Sequence, residues 1–333
     1  MEQLASSSLS PVFIVSSGRS GTTLLRGILN ASNQIFIPHE SHFIGSCYQF
    51  YHQKNNFDKY DYRQLIKFFK RTSQKYGWGM KTGYLLSQLN KHAPQTFADV
   101  NSIIYQAGLT LAGAENLQWG IKSPVLIASV NQIYKVFPAA KIIHIVRDGR
   151  DVSLSYQQVH RNHTARFGPG GIVSGALYWI DGLRRIEAVG GPKQLYELRY
   201  EDLLTQPKDE LEKLCAFLDI AYRPSMHQSY HRSEKNRNLV LETHQTTIHS
   251  KVNKGIDSKN KNKFLVDMSH FDLFIFELLA APYLEKYGYG IKFSFLNTCL
   301  LKPIRNLAYL SARIFNNIRY SRRNVRLYKQ IIA

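Results

Sequence analysis

Cysteine is scarce in this chain: Cys47, Cys215 and Cys299 are the only three among 333 residues. So few, so widely spaced and odd in number, they make neither a disulfide framework nor a paired-thiolate zinc site, and a reducing compartment fits them best. Long apolar runs are missing as well. No stretch approaches the roughly 18 apolar residues of a membrane span. The most apolar one, Leu273 to Leu284, is interrupted by Glu277 and Pro282 and reads as a core helix. The opening MEQLASSSLS has neither the basic start nor the apolar centre of a secretory signal, so a cytoplasmic location is expected. No fixed-period repeat occurs, which sets solenoids aside.

Acidic residues are short in number and unevenly placed. Lys and Arg total 43 against 24 Asp and Glu, a formal charge of +19, while 44% hydrophobic and 12% aromatic residues suffice for a sizeable core. Disorder is thereby excluded as a description of the whole chain. The charge is local. From Ile291 to Ala333 there are nine basic residues and no acidic one, and His231 to Lys263 carries a further excess of +5. Within the tail, Ile304, Leu307, Ala308, Ser311, Ile314, Phe315 and Ile318 trace one helical face. An acid-free basic flank beside that stripe fits docking on an anionic membrane surface; the alternative is a helix packed on the rest of the chain.

Pro11 to Val15 reads as a buried strand that runs into the small polar loop SSGRSG, with a helix at Thr22 to Asn30. Further strands are expected at Leu117 to Ile121, Lys141 to Val146 and Gln194 to Arg199. Helices are expected at Val125 to Phe137 and Pro207 to Leu218, and after the RDGRD turn. Helical segments between Glu40 and Leu117 form an insertion. Strands alternating with helices imply an α/β chain with a mainly parallel central sheet covered on both faces, a three-layer α/β/α arrangement. Residues 10–290 read as one domain and 291–333 as a basic tail.

Two strand ends are built for anions. In Ser16-Ser17-Gly18-Arg19-Ser20-Gly21-Thr22-Thr23, two glycines allow a tight turn and the following helix start adds its amides and dipole. The Walker signature is incomplete, because no GK[ST] occurs and Arg147 stands where a metal-holding Asp is expected. The second end is Arg147-Asp148-Gly149-Arg150-Asp151, with Ser153 and Ser155 after it, on the edge where doubly wound sheets bind ligands. A salt-bridged turn, Arg147 to Asp151, is the structural alternative.

Together these motifs resemble the sulfotransferases that use 3′-phosphoadenosine 5′-phosphosulfate (PAPS). The loop form [KR]-x-G-T-x-x-L is matched by Arg19 to Leu25, and a strand running into Arg with Ser eight residues on is matched by Arg147 and Ser155. RSGTTLLR with VRDGRD is most similar to the tyrosylprotein-sulfotransferase and bacterial branch; RYEDL and QPKDELEKLCAFL also recur there, and the likeness spans roughly Val12 to Tyr289. The resemblance implies a P-loop-like fold, PAPS as donor, no metal, and a hydroxyl- or amine-bearing acceptor. It assigns Arg19 to the bridging oxygen, Ser20, Gly21, Thr22, Thr23 and Leu24 to the 5′-phosphate loop, and Arg147 and Ser155 to the 3′-phosphate. It also assigns Glu40, 21 residues after Arg19, as general base. His39 or His42 could serve instead, or Glu40 could be an ordinary exposed acid. Lys122 and Ser123 would reach the sulfuryl oxygens or the acceptor; alternatively Lys122 is a solvated strand-end charge. The chain departs from the family in having no Trp after Trp179, and Lys251 and Lys254 are expected to add 3′-phosphate contacts. A kinase-like phosphotransferase is the nearest rival. A non-catalytic protein binding anionic membrane or nucleic acid is the other, with nucleic acid disfavoured because no zinc finger or RNP-like aromatic pattern is present.

Overall fold

A computed structural model of the chain describes residues 10–73, 78–162, 168–191, 193–228 and 256–293, with scattered positions between 303 and 314. Five strands, β1 (Val12–Ser16), β2 (Ile35–Phe36), β3 (Gln118–Lys122), β4 (Lys141–Val146) and β5 (Leu195–Arg199), form one sheet in the order β2-β3-β1-β4-β5. Every pairing is parallel. All strand C-termini therefore open on one edge, and β1 lies between β3 and β4.

The strands read as continuous apolar runs because both faces are covered. On β1, Val12 and Ile14 pack with Leu25, Ile28 and Leu29 of α1 (Thr22–Asn30) and with Leu211 and Leu214 of the helix Pro207–Leu218. Phe13 and Val15 face the opposite layer. That layer is the expected helical insertion, α2 (Phe43–Tyr51), α3 (Lys59–Ser73), α4 (Thr82–His92) and α5 (Phe97–Leu111). Thr96 caps α5 by accepting from the Asp99 amide at 3.1 Å, while Asp99 accepts from the Thr96 amide at 2.9 Å. A further cluster centred on Trp179 joins α7 (Gly149–Asn162), α8 (Ile172–Glu187) and the helix His270–Lys286. The result is the three-layer α/β/α arrangement.

Two local expectations change. The helix expected over Val125 to Phe137 is a 3-10 turn, Pro124–Ser129, followed by α6, Val130–Val136. Pro124 stands at the start of this turn, where its missing amide costs no internal hydrogen bond. The two-residue β2 is too short to carry a period-2 signal. It is fixed by tertiary bonds: the Asn30 side chain accepts from the Ile37 amide at 2.8 Å and donates to the Ile37 carbonyl at 3.0 Å. This clamp directs the segment that ends at Glu40. Of the tail, Ile304, Leu307, Leu310 and Ile314 are described and exposed. Among the described residues no helix is long and apolar enough to cross a membrane.

Asn30→Ala would leave two buried backbone groups unsatisfied. Unfolding in urea should show a loss of about 2–4 kcal/mol, with the helical circular dichroism of the folded state preserved.

Candidate functional site

Residues Ser17 to Gly21 form the turn from β1 into α1, and their backbone is mostly left-handed: Gly18 has φ +77°, Arg19 +53° and Gly21 +90°. The two glycines are required by contact as well as by dihedral. A Cβ on Gly18 would stand 2.0 Å from the Tyr156 hydroxyl, and one on Gly21 would stand 2.4 Å from the Tyr200 ring. The turn is tied internally, the Gly18 amide donating to Ser16 Oγ at 2.9 Å and Ser20 Oγ donating to the Gly18 carbonyl at 2.9 Å. Tyr156 also donates to the Ser17 carbonyl at 3.2 Å. No side chain caps α1 and no acid lies in its first turn, so the amides of Thr22, Thr23 and Leu24 present an anion-binding end.

The second strand end meets this loop directly. Arg19 Nε donates to Ser155 Oγ at 3.0 Å, and Arg147 Nη1 donates to the Arg19 carbonyl at 3.0 Å. Arg147 Nη2 donates to Asp151 and to the Asn260 carbonyl, both at 3.2 Å, and its guanidinium lies 4.7 Å from the Tyr200 ring centre. The salt-bridged turn is thus present together with the contact between the two loops. Arg147 Nε is buried with no protein acceptor. Burial, the largest influence, lowers the Arg19 guanidinium below its ordinary value; Tyr156 and Glu40 oppose this and Arg147 adds to it. The other arginine of RDGRD points elsewhere. Arg150 is locked between Asp148 and Glu277, each with a 2.7 Å contact, under the Phe264 ring.

Glu40 and Lys122 are brought together by the parallel register. Lys122 ends β3 opposite Ile14 and is 3% exposed, with Nζ 2.7 Å from Glu40 Oε1. His42 Nε2 lies 3.6 Å from the other carboxylate oxygen. Neither the exposed acid nor the solvated lysine considered from sequence is found. Burial alone would raise the Glu40 carboxyl, but the Lys122 ammonium and His42 outweigh it and hold the group well below the usual carboxylate range. The backbone beneath is pinned, since Trp78 Nε1 donates to the carbonyls of His39 at 2.9 Å and Glu40 at 3.1 Å. Arg26 Nη1 lies 3.1 Å from His39 Nδ1. Ser123, the next residue after Lys122, is fully buried and its hydroxyl has no protein partner.

A profile described as the sulfotransferase family matches residues 11–224, which include both anion loops, Glu40 and Lys122. The chain belongs to the sulfotransferase family. The chain is 24% identical over 291 residues to an uncharacterized protein of Aquifex aeolicus, a match covering 83% of the chain and 34% of that protein. It is 28% identical over 157 residues to the omega-hydroxy-beta-dihydromenaquinone-9 sulfotransferase of Mycobacterium bovis, covering 38% of the chain and 37% of that enzyme. The matches thus span about a third of the length of these curated relatives. Among solved structures, the sulfotransferase domain of the Synechococcus PCC 7002 olefin synthase superposes with a TM-score of 0.57 at 20% identity, over 85% of this chain and 96% of that one. The fold is shared.

Several residues of this candidate site lie outside the sequence motifs. Tyr156, Tyr200, Asn260 and Trp78 all contact the loops or Glu40's backbone. Only Tyr200 carried a signal, as the first residue beyond a strand end in RYEDL. Lys251 and Lys254 lie outside the described residues. Among the described residues no three His, Cys, Asp or Glu side chains are grouped to hold a metal.

The Glu40 contacts set a pH dependence. A carboxyl whose folded value lies below its unfolded one contributes stability in full above the ordinary range near about 4.3 and loses it as pH falls. Unfolding free energy should therefore drop more steeply between about pH 5 and pH 3 for the wild type than for Glu40→Gln, measured by denaturant titration.

Proposed function

We propose that this chain moves a sulfuryl group from PAPS to a hydroxyl or amine of an acceptor, by in-line displacement with Glu40 as general base. The observation that carries the reading is the junction of the two strand ends, where Arg147 holds the Arg19 carbonyl and Arg19 reaches Ser155. One ligand with a charged group at each end of a ribose fits such a pair of adjoining anion sites.

In this reading the amides and hydroxyls of Ser20, Gly21, Thr22, Thr23 and Leu24 hold the 5′-phosphate at the start of α1. Arg147 and Ser155 hold the 3′-phosphate, with Lys251 and Lys254 as further contacts from the basic segment. As the acceptor oxygen bonds to sulfur, the bond from sulfur to the bridging oxygen breaks and its electron pair stays on the phosphate. The Arg19 guanidinium stabilises that growing charge more in the transition state than before it. The acceptor proton passes to Glu40, while Lys122 and Ser123 face the sulfuryl oxygens or the acceptor. Residues 10–290 would carry this chemistry. The exposed apolar positions of the acid-free tail support docking on an anionic surface as its part.

Arg19→Ala should reduce labelled-sulfate transfer from PAPS at least about 100-fold; activity close to wild type would remove Arg19 from the mechanism. Glu40→Gln should lower kcat by about 10²–10⁴ while calorimetry shows 3′,5′-adenosine bisphosphate (PAP), the desulfated product, still bound. Lost PAP binding would make Glu40 structural.

A further inference from the structure

Two tasks that compete with one another fall on the Lys122 and Glu40 pair. Lys122 Nζ stands 2.7 Å from Glu40 Oε1, and the lysine side chain is only 4% exposed against 20% for the glutamate. A carboxylate in contact with a buried ammonium is a poor proton acceptor, because taking the proton would strand the cation away from water. An ammonium held by that carboxylate has less of its charge to spend on the group being transferred. Of Lys122 and His42, the lysine is in closer contact with the Glu40 carboxylate. His42 stands farther off, at 3.6 Å, and Arg19 is engaged with Ser155.

A donor carrying a sulfuryl group brings three oxygens to the edge on which β1 and β3 end. Lys122 is a flexible point charge with three donors, and can exchange one anion for another by a small rotation of its stem. We propose that the donor arms the base: sulfuryl oxygens draw Lys122 off Glu40, so Glu40 can accept a proton only once the group to be transferred is in place. This rests on the donor and base assignments above.

The cycle balances. With Lys122 on the sulfuryl oxygens, the acceptor O–H gives its proton to Glu40, the acceptor oxygen bonds to sulfur, and the bond from sulfur to the bridging oxygen breaks with its electrons left on PAP. When the sulfated product leaves, the ammonium returns to Glu40 and the proton is released to water. PAP, which has no sulfuryl group, leaves the pair closed, and an acceptor arriving before the donor meets a carboxylate already engaged.

Calorimetric titration of PAPS and PAP into the wild type, Glu40→Gln, Lys122→Met and the double variant tests this, with PAP binding as the check that each site is folded. Glu40→Gln removes the carboxylate's hold on the ammonium beforehand, so PAPS should bind roughly tenfold tighter while PAP affinity stays within about twofold. Lys122→Met should weaken PAPS and spare PAP. On that background Glu40→Gln should bring no further gain, because the two changes act through one contact. An unchanged ratio of PAPS to PAP affinity in Glu40→Gln, or a gain that persists without Lys122, overturns the arming. Labelled-sulfate transfer to a panel of phenolic, primary-alcohol and amine acceptors separates the underlying reading. Glu40→Gln with normal turnover refutes the base and the arming together, whereas lost turnover with an unchanged affinity ratio refutes the arming alone.

Discussion

The parallel pairing of β1 with β4, in register from Val12 opposite Lys141 to Ser16 opposite Ile145, is the constraint on which the site depends. Parallel strands end on the same edge, so two loops 128 residues apart leave the sheet side by side. Their cations then have to be separated or shared. The chain offers the Arg19 carbonyl and the Asp151 carboxylate to Arg147, and the Ser155 hydroxyl to Arg19. Tyr200 covers the Arg147 guanidinium face, and Trp179 fixes its backbone by donating to the Arg147 carbonyl at 2.9 Å. Positive charge is thereby concentrated at a position where each cation has partners that an arriving anion can replace or supplement.

Glu40 is the counterweight on that edge. It arrives from an edge strand of two residues, held by the Asn30 clamp and by Trp78, and it comes to rest on Lys122. An acid next to a buried ammonium stays ionised across the ordinary pH range, which suits a group meant to accept a proton but limits how readily it does so. The ion pair is therefore a resting state in the proposed mechanism.

The legibility of these features followed their physical origin. β1, β4 and the loops after them were readable because buried parallel strands are short apolar runs and because anion loops need Gly, hydroxyls and Arg at fixed offsets. RDGRD shows where that reading stops. Both arginines look alike in sequence, yet Arg147 turns to the loop and Arg150 turns inward to Asp148 and Glu277. The direction is set by the helix His270–Lys286, more than a hundred residues further on, whose Glu277 is fully buried. β2 escaped notice because two residues have no period. Tyr156, Asn260 and Trp78 escaped because a residue that works by contact, without a motif of its own, leaves no local trace.

The sequence by itself determined the α/β class, the two anion-binding strand ends and the membership those motifs imply. All of these depend on residues near one another in the chain and on backbone rules that hold wherever a strand runs into a helix. Only the tertiary structure decided that Arg19 meets Ser155, that Lys122 rests on Glu40, and that Tyr156 crowds Gly18 and Tyr200 crowds Gly21. These are meetings between distant segments, fixed by strand order and register, and no spacing within the chain encodes the distance across a sheet.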